Sequence, residues 1–150
     1  MDISKEIKQN KPFISEKMKA IINLMFTGSY VIEQANLRLK PYKLNDQHYN
    51  ILRILRGSAE IPLSPGELKK RLINKRGDLT RLVDKLVKRS LVHRCTNAEC
   101  RRLVDITITE KGLALLKELD TNTEGEVALA KKLSEEEAKQ LNALLDKIRT

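Results

Sequence analysis

The chain has 150 residues, of which 41% are hydrophobic and 33% charged, a composition that supports one packed domain and excludes disordered and collagen-like chains. No apolar run approaches the roughly 18 residues of a membrane-spanning helix, and the N-terminal residues are too polar for a secretory signal, so we expect a soluble, cytoplasmic protein. The net charge of +9 favours nucleic acid as a partner.

The first predicted element is a long amphipathic helix, which should begin at Pro12 and end before Pro41. Proline is favoured in the first helical turn, and it disfavours helical geometry in the residue before it. Apolar residues recur at helical spacing along the segment, at Ile14, Met18, Ile21, Met25, Ile32 and Ala35. This stripe exceeds what a small domain covers, so it predicts a partner: a second copy of the chain or, alternatively, the last helix of the same chain.

A short buried helix should follow, from the N-cap Asn45 to Gly57. Leu44 and Tyr49 have the spacing of a hydrophobic staple at its start. Its core-facing residues are Ile51, Leu52 and Leu55. We expect His48, near the start of this helix, to contact solvent or phosphate rather than a metal ion.

Two further helices joined by a tight connection form a helix-turn-helix pattern. The first should begin at Pro65, because Ser64 and Glu67 have the spacing of a capping box around it. After a break around residues 73–74, the second should begin at Leu79 and repeat its apolar residues at helical spacing. These are Leu79, Leu82, Val83, Leu86 and Val87, and the opposite face carries Arg76, Thr80, Arg81, Lys85 and Lys88.

The positive charge is concentrated around this pattern. Residues 64–105 carry 12 basic and 5 acidic side chains, whereas residues 106–150 carry 7 basic and 9 acidic ones. Because phosphate neutralisation supplies most non-specific affinity for nucleic acid, this distribution favours a nucleic-acid-binding module. The alternative interpretation is a solvated, Lys-rich surface.

The sequence then alternates between apolar and polar residues, which predicts a β-hairpin with strands at residues 91–95 and 104–108. Arg101 and Arg102 lie near its tip. A hairpin directly after a helix-turn-helix is typical of a winged helix, in which the hairpin, or wing, can place an arginine in the minor groove.

Two helices should complete the chain. Thr109 should cap the first helix, and Ser134 and Glu137 should form a capping box at the start of the second. Residues 120–125 are poor in helix-forming residues, which predicts a break between the two helices. Their apolar stripes are Leu113, Leu116 and Leu119, and then Ala138, Leu141, Leu144, Leu145 and Ile148. The predicted fold is therefore mainly α with a small β-wing: a winged helix-turn-helix with N- and C-terminal helices.

The order of these elements, and several strings within them, resembles the MarR family of bacterial winged-helix transcription regulators. The strings are LNDQHYNIL at 44–52, LTRLVDKL at 79–86 followed by Leu91-Val92, the wing ending in Arg101-Arg102, and ITEKG at 108–112. Two positions depart from the family pattern. Cys100 stands where an Asp usually orients the wing arginine, and Ser90 stands where a glycine usually closes the recognition helix.

The resemblance implies a homodimer in which residues 1–40 and 110–150 form a helical dimerisation region and residues 41–109 a DNA-binding winged helix-turn-helix. It implies a transcriptional regulator, a repressor relieved by a small ligand, that binds a pseudo-palindromic site in duplex DNA. A small acidic or phenolic compound would bind between the two regions. Candidates for lining that crevice are Phe26, Tyr30, Tyr42 and Tyr49, for which core packing is the alternative.

The DNA-binding residues take two roles according to their side chains. Arg76, Thr80 and Arg81 are expected to contact bases, whereas Lys69, Lys85 and Lys88 suit phosphates because a lysine lacks bidentate geometry. By the resemblance, Arg102 enters the minor groove, with Arg101 beside it.

The remaining alternatives concern cysteine chemistry and function class. Cys95 and Cys100 flank the wing turn, where a thiolate near arginines would respond to oxidants; the alternative to a redox sensor is a pair of incidental apolar side chains. The sequence requires no metal or cofactor and lacks an enzyme's clustered nucleophile and base. A winged helix used for protein contacts, or for sequence-indifferent nucleic-acid binding without a ligand, is the rival function.

Overall fold

The computed structural model describes residues 2–58, 61–97, 103–121 and 131–150 of the chain. Its helices and strands are, in chain order, α1 (Ile3–Glu6), α2 (Glu16–Leu39), a 3₁₀ turn (Lys40–Tyr42), α3 (Asp46–Gly57), α4 (Pro65–Arg71), α5 (Leu79–Lys88), β1 (Val92–Thr96), β2 (Val104–Ile108), α6 (Glu110–Thr121) and α7 (Glu135–Arg149). This mainly helical architecture with a two-stranded antiparallel wing confirms the predicted fold class.

The long helix α2 starts later than the sequence predicts. It begins after Ser15, whose hydroxyl accepts a hydrogen bond from the backbone N–H of Met18 at 3.2 Å, so the predicted start at Pro12 is wrong. A proline in the first turn pairs with none of the free N–H groups there, whereas the Ser15 hydroxyl satisfies one of them. Ile14 consequently precedes the helix and is 95% exposed. The predicted end before Pro41 is confirmed.

A leucine-rich core joins the helix-turn-helix to the base of the wing. The helices α3, α4 and α5 each bury an apolar face in it, and α6 covers it from the other side. Its fully buried side chains include Ile51, Leu52 and Leu55 of α3, Leu68 of α4, Val83 and Leu86 of α5, Ile106 of β2, and Leu116 and Leu119 of α6. Burying such a side chain contributes on the order of 1.5–3 kcal/mol, so this core fixes the orientation of α5.

The helix α5 ends in a Schellman motif that turns the chain into the wing. The N–H of Ser90 donates to the carbonyl of Val87 at 2.8 Å, and the N–H of Leu91 donates to that of Leu86 at 3.0 Å. Ser90 has φ 58°, a left-handed conformation that glycine adopts without steric cost. The departure from the family pattern at Ser90 therefore lies at a position whose backbone favours glycine.

The wing pairs Val92 with Ile108 at its base and Thr96 with Val104 towards its tip. Leu63 forms a further antiparallel bridge with Ile106, which ties the wing to the chain just before α4. The predicted strands are thus confirmed to within one residue. Cys100, Arg101 and Arg102 lie outside the described residues.

The two C-terminal helices differ in how they pack. At the start of α6, Thr109 caps the N–H of Gly112 at 3.1 Å as predicted. A Cβ on Gly112 would lie 2.3 Å from the carbonyl oxygen of Leu91, so glycine allows α6 to approach the turn between α5 and β1. The predicted capping box of Ser134 and Glu137 is confirmed in α7. None of the residues of α7 is buried.

Candidate nucleic-acid interface

The outer face of α5 presents the residues predicted to contact DNA. Arg81 and Lys85 lie one turn apart on it, and Thr80 and Lys88 lie two turns apart. Lys69 is exposed on α4, and Arg76 is exposed in the turn before α5 rather than on the helix itself. All six of these side chains are exposed, whereas the opposite face of α5 lies in the core. The helix is therefore strongly amphipathic, with its cations available to a partner.

The start of α5 depends on Asp78, a helix cap that the sequence interpretation did not identify. Its carboxylate accepts a hydrogen bond from the N–H of Arg81 at 3.1 Å and so caps the helix. The predicted capping box of α4 forms only in part. The Ser64 hydroxyl accepts from the N–H of Glu67, but the Glu67 carboxylate pairs with Lys70 at 2.6 Å instead of returning to the cap.

An ion pair links α5 to the wing. Arg94 of β1 places its guanidinium 2.5 Å from the carboxylate of Asp84, although the pair lacks hydrogen-bond geometry. Towards the wing's turn, the side-chain amide of Asn97 donates to Asp105 of the facing strand at 2.9 Å. The sequence interpretation missed both pairs, because they join residues that are near only once the hairpin has folded against α5.

His48 does not contact solvent or phosphate, contrary to the prediction. It is 3% exposed, and its ring nitrogen Nδ1 accepts the backbone N–H of Asn45 at 3.3 Å, which completes a capping box at the start of α3. Burial, and then the positive charges of Lys85 and Arg89, lower the pKa of His48 to about 4 against a small opposing effect of Asp46. The imidazole is therefore neutral at pH 7 and acts as a helix cap.

A cleft of about 370 Å³ separates α2 from the helix-turn-helix. Most of its exposed surface is apolar, although aliphatic and polar residues line it in nearly equal number: Val31, Ile32, Ala35, Asp46, Gln47, Tyr49, Asn50, Arg53, Leu72, Ile73 and Asn74. Of the four aromatic candidates, only Tyr49 lines it, and its hydroxyl accepts from Arg53 at 3.0 Å. Tyr42 packs against the core and donates to Glu118 instead, while Phe26 and Tyr30 are exposed on α2.

Cys95 is exposed and free, and Cys100 lies outside the described residues, so the redox hypothesis stays a prediction. Within residues 2–58, 61–97, 103–121 and 131–150, no three His, Cys, Asp or Glu side chains group as metal ligands would. Over the same ranges no helix has both the length and the apolarity needed to cross a membrane.

Comparisons with known proteins identify a consistent set of relatives. A model of the MarR family matches residues 42–103. The HTH-type transcriptional regulator PecS of Dickeya dadantii is 27% identical over 150 residues, 98% of this chain and 90% of that protein. The HTH-type transcriptional regulator MhqR of Bacillus subtilis is 25% identical over 134 residues, 89% of this chain and 91% of that protein.

Solved structures show the same similarity. A mutant of MarR from E. coli, complexed with operator DNA, matches with a TM-score of 0.79 and 26% identity, covering 92% of this chain and 99% of that one. The complex of S. aureus MepR with DNA matches with a TM-score of 0.73 and 22% identity over 91% and 97% of the two chains. At that lower identity the second match bears on the fold alone.

The environment of His48 predicts a pH-dependent stability. Its pKa in the folded chain is about 4, below the ordinary 6.5, so the unfolded chain binds more protons between these values. Stability should therefore fall by about 2–3 kcal/mol as the pH drops through that window. In the variant His48→Gln, the glutamine side chain can still accept the hydrogen bond from the backbone N–H at this capping position, but it does not titrate. Urea unfolding across the window should show a smaller loss in the variant, and equal losses would contradict the assignment.

Proposed function

We propose that the chain is a member of the MarR family of winged-helix regulators, whose model matches residues 42–103, and that it is a transcriptional regulator that binds a pseudo-palindromic site in double-stranded DNA as a homodimer. The observation that carries the proposal is the outer face of α5, where Arg81, Lys85 and Lys88 are exposed while the inner face is held in the core. A helix of this kind fits the major groove of B-DNA.

The side chains of α5 and its flanks divide between base and phosphate contacts. Arg76, Thr80 and Arg81 cluster at the start of the helix, the end that contacts base edges in helix-turn-helix proteins. Lys69, Lys85 and Lys88 then contact phosphates, as point charges without bidentate geometry. Arg102, with Arg101 beside it, enters the adjacent minor groove; this part of the proposal rests on the family resemblance.

The homodimer is supported by apolar surface that the protomer leaves uncovered. Large side chains of α2 and α7 are exposed, although their spacing is that of core-facing stripes. They include Met18, Ile21, Met25, Val31 and Ile32 of α2, and Leu141, Leu144 and Ile148 of α7. An apolar surface of this extent marks a protein interface. Residues 1–40 and 110–150 therefore form the dimerisation region around a winged helix-turn-helix at residues 41–109.

We propose that the protein is a repressor and that a small acidic or phenolic compound relieves repression from the cleft between α2 and α3. Three features of the cleft support this site. It is mostly apolar, it carries Arg53 beside Tyr49 as a polar group for an acid, and it is lined by both the dimerisation helix and the chain that leads into α5. A ligand there would shift the spacing of the two α5 helices in the dimer.

The rival functions predict other surfaces. A winged helix that docks on proteins would expose apolar residues on the outer face of α5, where this chain exposes Thr80, Arg81, Lys85 and Lys88. Sequence-indifferent binding would use the same cations without base readout. Binding that is tighter on a selected DNA sequence than on mixed-sequence DNA would distinguish the proposal from this second rival.

The relatives found by comparison are transcriptional regulators, a function class without catalysis.

Base readout is tested by comparing an arginine with a lysine on the same helix face. Arg81→Ala should cost about 1–3 kcal/mol of binding free energy on a DNA site selected by the wild-type protein, and much less on mixed-sequence duplex. Lys88→Ala should weaken binding to both duplexes alike. Fluorescence titrations of both duplexes provide the measurement. The base-reading role of Arg81 would be wrong if Arg81→Ala weakened every sequence equally.

Dimerisation is tested on α7. Leu144→Asp should abolish the dimer at micromolar concentration and lower the melting temperature, because an unpaired charge buried at an interface costs about 3–5 kcal/mol. Asn142→Asp adds the same charge to the same helix and should leave the dimer intact. Sedimentation velocity measures both variants. A wild-type protein that sediments as a stable monomer would refute the homodimer.

A further inference from the structure

Three lysines converge on a second cleft beside α5, apart from the one assigned to the small ligand. Lys40 belongs to the 3₁₀ turn, Lys43 to the loop after it and Lys85 to α5, and together they line a cavity of about 410 Å³. All three are exposed, and among the described residues none of them forms a salt bridge, although Glu33 lies on the same rim. The three lysines thus concentrate positive charge around a cavity whose described lining contains a single acidic side chain, that of Glu33.

The backbone at Lys43 is unusual for a lysine. Its φ is 55°, in the left-handed region that glycine and asparagine adopt more readily than a long side chain does. The Arg89 guanidinium donates to the carbonyl oxygen of Lys43 at 3.2 Å, so the loop is fastened to the end of α5.

The position of the cluster follows from the helical geometry of α5. Thr80 and Asp84 lie on the flank nearer the wing, where Asp84 meets Arg94. Lys85 follows Asp84 by one residue, about 100° around the helix, and faces the start of α3 instead. The wing and the lysine cluster therefore lie on opposite flanks of the helix proposed to enter the major groove. That groove is bounded on each side by a phosphate backbone.

We propose that Lys40, Lys43 and Lys85 bind backbone phosphates of DNA on the flank of α5 opposite the wing. This inference rests on the proposed function and extends the DNA contact to a loop outside the helix-turn-helix. The wing, whose arginine is proposed to enter the minor groove, lies beside one backbone, and the lysine cluster binds the other. Because Arg89 ties Lys43 to α5, the cluster stays in register with the base-reading side chains.

The test uses Lys43→Gly, for which the structural and the binding effects have opposite signs. Glycine suits the left-handed backbone, so the melting temperature should equal or exceed that of the wild type. The loss of one phosphate contact per subunit should flatten the plot of log affinity against log salt by about 0.9 per contact, or about twice that per dimer. Lys40→Gln added to Lys43→Gly should flatten it further.

Lys8→Gly is the matched control, because Lys8 is also an exposed lysine with a positive φ, 52°, and lies in the N-terminal segment. It should leave the salt dependence unchanged. The inference is overturned if Lys43→Gly keeps the wild-type slope on mixed-sequence duplex, or if Lys8→Gly flattens it as much. It is also overturned if the cluster binds free phosphate and not DNA. In that case inorganic phosphate would raise the melting temperature of the wild type but not of Lys43→Gly, while both proteins would bind DNA equally well. A wild type that binds no duplex would instead refute the proposed function itself.

Discussion

The rest of the molecule depends on the amphipathic character of α5, which has an apolar inner face and a basic outer face. Its inner face places Leu79, Val83 and Leu86 in a core shared with α3, α4, α6 and the wing. Because these side chains are buried, rotating the helix would expose apolar surface and draw its cations into the core, at a cost of several kcal/mol. The outer face is therefore fixed towards solvent, and Ser90 turns the chain so that the wing lies beside it.

The sequence predicted what local physics determines. The periodicity of α5 identified its buried face, and the alternation after Leu91 identified the wing, since both patterns depend on residues a few positions apart. Local signals failed where two of them competed, as when Ser15 rather than Pro12 began α2. The burial of His48 could not be seen in the sequence, because the elements that cover it, and the charges of Lys85 and Arg89 that lower its pKa, come close only on folding.

The helix α2 takes part in all three proposed activities: dimerisation, ligand binding and phosphate binding. Its exposed apolar stripe is the proposed dimer surface, Val31, Ile32 and Ala35 line the ligand cleft, and its C-terminal end leads into the lysine cluster. A ligand that moves α2 against α3 would therefore change the distance between the two α5 helices of a dimer and the position of the lysines. Since major-groove contacts repeat with the helical turn, a small change in that distance removes one half-site from register.

The central claim is that two copies of α5 bind adjacent major grooves of one duplex. Hydroxyl-radical footprinting of the wild-type protein, on a duplex that it has selected from a random pool, tests this most directly. The account predicts two protected tracts related by two-fold symmetry, with centres about one helical turn, roughly 10 base pairs, apart. Uniform protection, or a single tract without a symmetry mate, would contradict it.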